Sequence, residues 1–272
     1  VTLEDVAKQL RWHSAKLSRL ERAEPRGGLA GPAEVIALAT ILGIDEAERD
    51  RVVSLAIAGA DNVGWWRAYT PGVVPEYFAD YLETESEASS VSNVDSTLVP
   101  GLLQTAAYTD ALQRGWQGDA PQVDTVMVER RELRQQRQAR LDEDGTGKVL
   151  ALHSIIDEAA LRRLVGGPAV MAEQLDVIAR RAAQPSITVQ VLAAELGAYP
   201  GLGVAFRLLR FDDESSAVYI ETLDSGLYVE EPDNVAGYLE IFERLTTVAL
   251  DPETSLARIT GIGDEWRTQI TE

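Results

Sequence analysis

The sequence predicts a mainly α-helical domain over residues 1–60, followed by an α+β domain over residues 61–272 with a mostly antiparallel sheet and flanking helices. Three observations carry that prediction. The opening segment holds short stretches with apolar residues at helical spacing, separated by turn-like breaks. After Lys148 the pattern changes to short apolar runs bounded by glycine and proline, which mark strands. The charge also changes: residues 1–58 hold eight Lys and Arg against nine Asp and Glu, whereas the rest of the chain carries nearly all of the net −19.

Composition excludes several classes of function. With 45% hydrophobic and 25% charged residues in 272, the chain can bury an ordinary core. No apolar run is long enough to span a bilayer, and no basic-then-apolar leader precedes a small-residue cleavage site. The chain therefore reads as cytoplasmic, without a membrane partner. Cysteine is absent, which removes disulfides, thiolate zinc sites and cysteine nucleophiles. His13 and His153 are left as the neutral-pH bases and nitrogen ligands. No metal site and no cofactor is expected. The acidic balance opposes wholesale polyanion binding but permits a local cationic surface on the first domain.

Within the opening domain, Thr2 precedes "LEDVAKQL", with Asp5 as a capping partner and Val6, Ala7 and Leu10 on one face. After "RW" a second helix is predicted over residues 14–24. Leu17 and Leu20 face inward, Lys16, Arg19 and Arg22 outward, and His13 or Ser14 caps it. Two short helices joined in this way form the layout of a helix-turn-helix, and equally of an αα-corner with solvated charges. "LAGPAEVIALATILGI" predicts a third helix with Pro32 in its first turn and Gly43 as terminator, and "DEAERDRVVSLAIAGA" a fourth.

The larger domain begins near "NVGWWRAY", where Trp65, Trp66 and Tyr69 read as bulky anchors of a seam or core. Helices are predicted over "PEYFADYLETESEASSV", over "VPGLLQTAAYTDALQRG" with Gly115 as its end, and over residues 121–141. The last carries Arg130, Arg134 and Arg137 on one face, which is either a solvated stripe paired to residues such as Glu129 or a surface for an acidic partner. "KVLALHS", "SITVQVLA", "YPGLGVAFRLLRF", "SAVYIET" and "GLYVEE" predict strands, and two helices close the chain. Asp157 and Glu158 are adjacent carboxylates, read as a helix cap and first-turn acid rather than as a hydrolytic pair. Gly201 and Gly203 make a turn and not a dinucleotide fingerprint, since the third glycine is missing and strands follow.

Residues 1–58, through "TLEDVAKQL", the turn and "SAKLSRLER", resemble the Cro/repressor-like (XRE-type) DNA-binding domain. Residues 65–272 resemble, through "GWWRAY", "LVPGLLQTAAY", "DEAALRRLVGGPAVMAEQL" and "YVEEPDNVAGYLEIFERL", the C-terminal domain of unknown activity found in actinobacterial, Streptomyces-type XRE regulators. The resemblance implies a sequence-specific regulator binding a double-stranded DNA operator. It implies that the family's first helix is missing here, upstream of a chain that starts at Val1. It places His13, Ser14, Ala15, Lys16, Ser18, Arg19 and Arg22 at the DNA, with Arg19 reading a base and Lys16 and Arg22 touching phosphate. Arg19 as a solvated charge paired to Glu21 is the plainer alternative. The resemblance also implies a homodimer, a small partner protein encoded nearby, or a small-molecule ligand.

Three classes of function therefore stand side by side: a transcriptional regulator, an antitoxin-like protein-binding module that autoregulates its operon, and an enzyme in the large domain. The enzyme reading is the weakest, because no catalytic residues, nucleophile elbow or metal-spaced cluster are evident.

Overall fold

The computed structural model describes residues 3–10, 32–46, 48–53, 66, 69, 72–117, 124–142 and 149–271. The chain divides into two compact units, Val1–Ala68 and Tyr69–Glu272. In the first, α1 (Leu3–Leu10) and α2 (Pro32–Leu42) meet where Val6 packs with Leu10, Leu38 and Ile41. α2 opens on Pro32, whose missing N–H has no partner to lose at a helix start. It stops at Gly43, which adopts a left-handed φ of 66° that a Cβ would oppose. The Glu48 N–H then donates to the Asp45 carboxylate at 3.0 Å, and residues 48–53 are helical. The predicted helix over residues 14–24 lies outside the described residues, and with it His13, Ser14, Ala15, Lys16, Ser18, Arg19 and Arg22. Trp65 lies outside them too, while Trp66 is buried.

Among its described residues the second unit holds six strands: β1 (Ser90–Asp95), β2 (Ala151–Asp157), β3 (Ile187–Leu192), β4 (Phe206–Arg210), β5 (Ser216–Glu221) and β6 (Gly226–Val229). They form one sheet of order β3-β2-β1-β4-β5-β6. β1–β2 and β2–β3 are parallel; β1–β4, β4–β5 and β5–β6 are antiparallel. Parallel neighbours need crossovers. α4 (Ala106–Gln117) and α5 (Asp124–Ala139) lie between β1 and β2, and α6 (Glu158–Arg162) and α7 (Pro168–Arg181) between β2 and β3. α3 (Glu76–Glu87) precedes the sheet, and α8 (Pro232–Val248) and α9 (Pro252–Thr271) follow it. No helix among the described residues is long and apolar enough to cross a membrane.

Strand alternation builds two cores, one on each face. Val91, Leu152 and Leu209 face Tyr81 of α3, Tyr108 of α4, Leu175 of α7 and Ile259 of α9. Val94, Ile155, Leu208 and Val218 face Val235, Phe242 and Leu245 of α8. Asp157 caps α6 by accepting the Ala159 N–H at 2.7 Å, as the sequence predicts. Gly166 and Gly167, at φ 71° and 99°, separate α6 from the Pro168 start of α7.

Two predicted helices are corrected. "PEYFADYLETESEASSV" stops being helical at Glu87, and the serines open β1, the strand on which the parallel and antiparallel halves of the sheet meet. The helix predicted over "VPGLLQTAAYTDALQRG" is a single tight turn at Gly101–Leu103, an extended Gln104 and then α4, with Gly115 inside α4 rather than ending it.

Candidate functional site

A row of polar residues crosses the face of the sheet that α3, α4, α7 and α9 cover. Register aligns Ser154 with Asn93, Asn93 with Arg207, Arg207 with Tyr219 and Tyr219 with Tyr228. Neighbours along the same strands, Val91, Leu152 and Leu209, belong to the apolar core. The Asn93 amide joins part of this row, donating to Ser154 Oγ at 3.0 Å and to the Asp95 carboxylate at 2.6 Å. Burial raises the Asp95 carboxyl above its ordinary value. Arg207 reaches Glu221 at 3.4 Å, and its guanidinium lies 5.6 Å from the Tyr81 ring centre and 5.9 Å from that of Tyr219.

Helices α3 and α5 add charges above this row. Arg137 forms a two-pronged pair with Glu85, at 2.8 and 2.7 Å, and Glu85 also accepts from the Tyr81 hydroxyl at 2.6 Å. Both ionised side chains are buried, at 6% and 3% exposure. Burial opposes each charge, but the pairing outweighs it: the Glu85 carboxyl is held below its ordinary value and Arg137 above its own. Arg137 also stands over the Phe78 and Tyr81 rings. Arg140 donates to the carbonyls of Glu85 and Ala88. Arg134 has neutral partners: its Nη1 donates to Gln104 Oε1 and, at 3.0 Å, to Thr109 Oγ1. Burial first, and the charge of Arg137 second, bring Arg134 down to about 10.

The face shared by Arg130, Arg134 and Arg137 is therefore not an open basic surface. Arg130 donates to the Gly72 carbonyl at 3.1 Å, Arg134 is half-buried, and Arg137 is inside. Arg131, beside the stripe, pairs with Asp110 at 2.8 Å. Spacing contained the clue: Leu133 and Arg137 stand one helical turn apart, and both are buried. Asn93, Asp95, Glu85 and Arg207 were not singled out by the sequence at all, because their grouping depends on β1 being a strand.

The other candidates are engaged structurally. His153 faces α8, bonded to Gln190 at 2.8 Å and edge-on to Phe242, and burial lowers its pKa. Glu158 accepts from Arg162 at 2.6 Å, Arg258 at 2.5 Å and the Ala194 N–H at 3.2 Å. Asp157, besides capping, accepts from the Tyr199 hydroxyl at 2.5 Å. The two adjacent carboxylates thus face different partners.

These two parts define a chain with a helical head and an α+β body that carries a buried charged layer. A family described as a helix-turn-helix domain matches residues 1–52, which makes the head that of a DNA-binding regulator. A family described as a domain of unknown function, DUF5753, matches residues 78–261, more than half of the chain, and the chain belongs to that family. No curated protein and no solved structure matches it.

Proposed function

We propose that the protein is a sequence-specific transcriptional regulator of the Cro/repressor-like class, acting on operator DNA as a homodimer. The carrying observation is the helix-turn-helix match over residues 1–52, on a chain whose acidity lies almost wholly downstream of it. That partition leaves the head able to approach phosphate. Lys16 and Arg22 serve as phosphate contacts and Arg19 as the base reader, with His13, Ser14, Ala15 and Ser18 along the same helix. The DUF5753 domain pairs the subunits and reports a bound effector or partner to the head, without catalysis. Selection from random duplex DNA tests this reading. Enrichment of one two-fold symmetric motif supports it, and recovery of no motif at moderate salt overturns it.

A further inference from the structure

The two edges of the sheet are finished differently. At β3 the Val191 N–H donates to Ser255 Oγ of α9 at 2.9 Å, and the Val191 carbonyl accepts from the Leu250 N–H at 2.9 Å, so the start of α9 takes peptide groups that no strand pairs. β6, at the other edge, pairs with β5 alone. The Thr222 N–H donates to the Ser225 carbonyl at 2.9 Å, and antiparallel bonding alternates from there. Leu227 and Val229 therefore turn their peptide groups to β5, and Gly226 and Tyr228 turn theirs outward. Those outward groups have no hydrogen-bond partner among the described residues. Such an edge is a template for one more strand.

Charge decides what can pair there. The sequence between Arg210 and Arg244 contains ten Asp and Glu and no Lys, Arg or His, more than half of the chain's net −19, and all ten acids are exposed. Glu221 and Asp224 stand at one end of β6, and Glu230, Glu231 and Asp233 at the other. Two leucines lie between them, Leu223 in the hairpin turn at 97% exposure and Leu227 on β6 at 55%. Leu227 lies opposite Ile220, on the face that α8 covers, and strand alternation puts Glu230 on the other face. A second copy fits this edge poorly. An antiparallel pair centred on Leu227 sets Asp224 of each chain opposite Glu230 of the other, and like charges directly opposite oppose pairing. A basic strand turns both contacts into attractions.

We propose that the β6 edge takes up an extended segment of another protein, alternating basic and apolar residues, as an added strand. The outward N–H and C=O groups of Gly226 and Tyr228 supply the backbone bonds. An apolar side chain of the segment covers Leu227, and its basic residues, on the other face, meet Asp224 and Glu230. This deepens the partner role given to the DUF5753 domain and rests on it, but binding is measured without DNA, so its failure is distinct from failure of the operator selection.

The test is titration of the full chain into a short labelled peptide that alternates lysine and valine, read by fluorescence anisotropy. Saturable binding of one peptide per chain is expected, weakening as salt is added. A glutamate–valine peptide, and a lysine–valine peptide interrupted by proline, are expected not to bind. N-methylation of every second residue blocks one side of a strand, so methylating one alternate set should abolish binding and methylating the other should leave it. The amides of Gly226 and Tyr228 should become protected from hydrogen exchange when the peptide binds. Asp224→Lys combined with Glu230→Lys is expected to weaken binding about 10-fold, whereas Glu173→Lys, the same change on the exposed side of α7, leaves it within about 2-fold. Absence of saturable binding would overturn the proposal. So would equal binding of the proline peptide or indifference to both methylation sets, which would reduce the contact to charge attraction. Protection of Gly226 and Tyr228 that rises with protein concentration in the absence of peptide would assign the edge to a second copy instead.

Discussion

Glu85 and Arg137 show how one residue pair sets a cost that depends on which partner is lost. Arg137→Ala strands a buried carboxylate, and about 3–5 kcal/mol of destabilisation is expected by denaturant unfolding. The pH dependence has a definite sign. The folded-state pKa of Glu85 is depressed, so its contribution is complete above the unfolded value of about 4.3 and is lost as pH falls through the folded one. Thermal melts of the wild type should therefore show an acid limb that is shallower in Glu85→Gln. In the head, Arg19→Ala is expected to cost roughly 1–3 kcal/mol on the selected operator and to blur preference at one base pair, whereas Lys16→Ala weakens all sequences alike. Quantitative gel shifts on operator and scrambled DNA separate the two. Uniform loss from both changes would make Arg19 a phosphate contact.

Elements with strong local signals were legible. Pro32 and Gly43 bound α2, Asp157 caps α6, and the strands from β2 onward follow their apolar runs. β1 was not legible, because "SVSNVD" carries turn-forming residues and takes its strand state from β2 and β4 on either side. With β1 went the sheet side of the charged layer, since Asn93 and Asp95 sit on β1 and Arg207 lies opposite Asn93 in register, whereas Arg137 pairs with Glu85 of α3 and Arg134 with Gln104 and Thr109. Two glycines test the local arguments at element scale. A Cβ on Gly166 would fall 2.7 Å from the Ala111 Cβ of α4, at a φ of 71°, so Gly166→Ala should cost about 1–3 kcal/mol. Gly237, inside α8, has open space where its Cβ would go, and Gly237→Ala should stabilise by about 0.5–1 kcal/mol. Chemical denaturation reads both, and equal effects of the same sign would defeat the distinction.

At the scale of the whole molecule, a homodimer carrying two helix-turn-helix heads should read half-sites about 34 Å apart, or a multiple of that. Sedimentation gives the stoichiometry and a footprint gives the spacing; a monomer that protects one half-site at full affinity would contradict both. The order of the strands has a separate consequence, for the route by which the chain folds. β4, β5 and β6 follow one another through short turns at residues 211–215 and 222–225, so their pairing closes only small loops. β1 must wait for the long excursion through α4 and α5 before it meets β2, and for most of the domain before Ser90 meets Arg210. Closing those loops is entropically expensive, and slow contacts of this kind set refolding rates. Pulse-labelled hydrogen exchange should therefore find the amides of Val218 and Tyr219 protected earlier than those of Val91 and Val94, so that the strand anchoring the charged layer is the last to be seated.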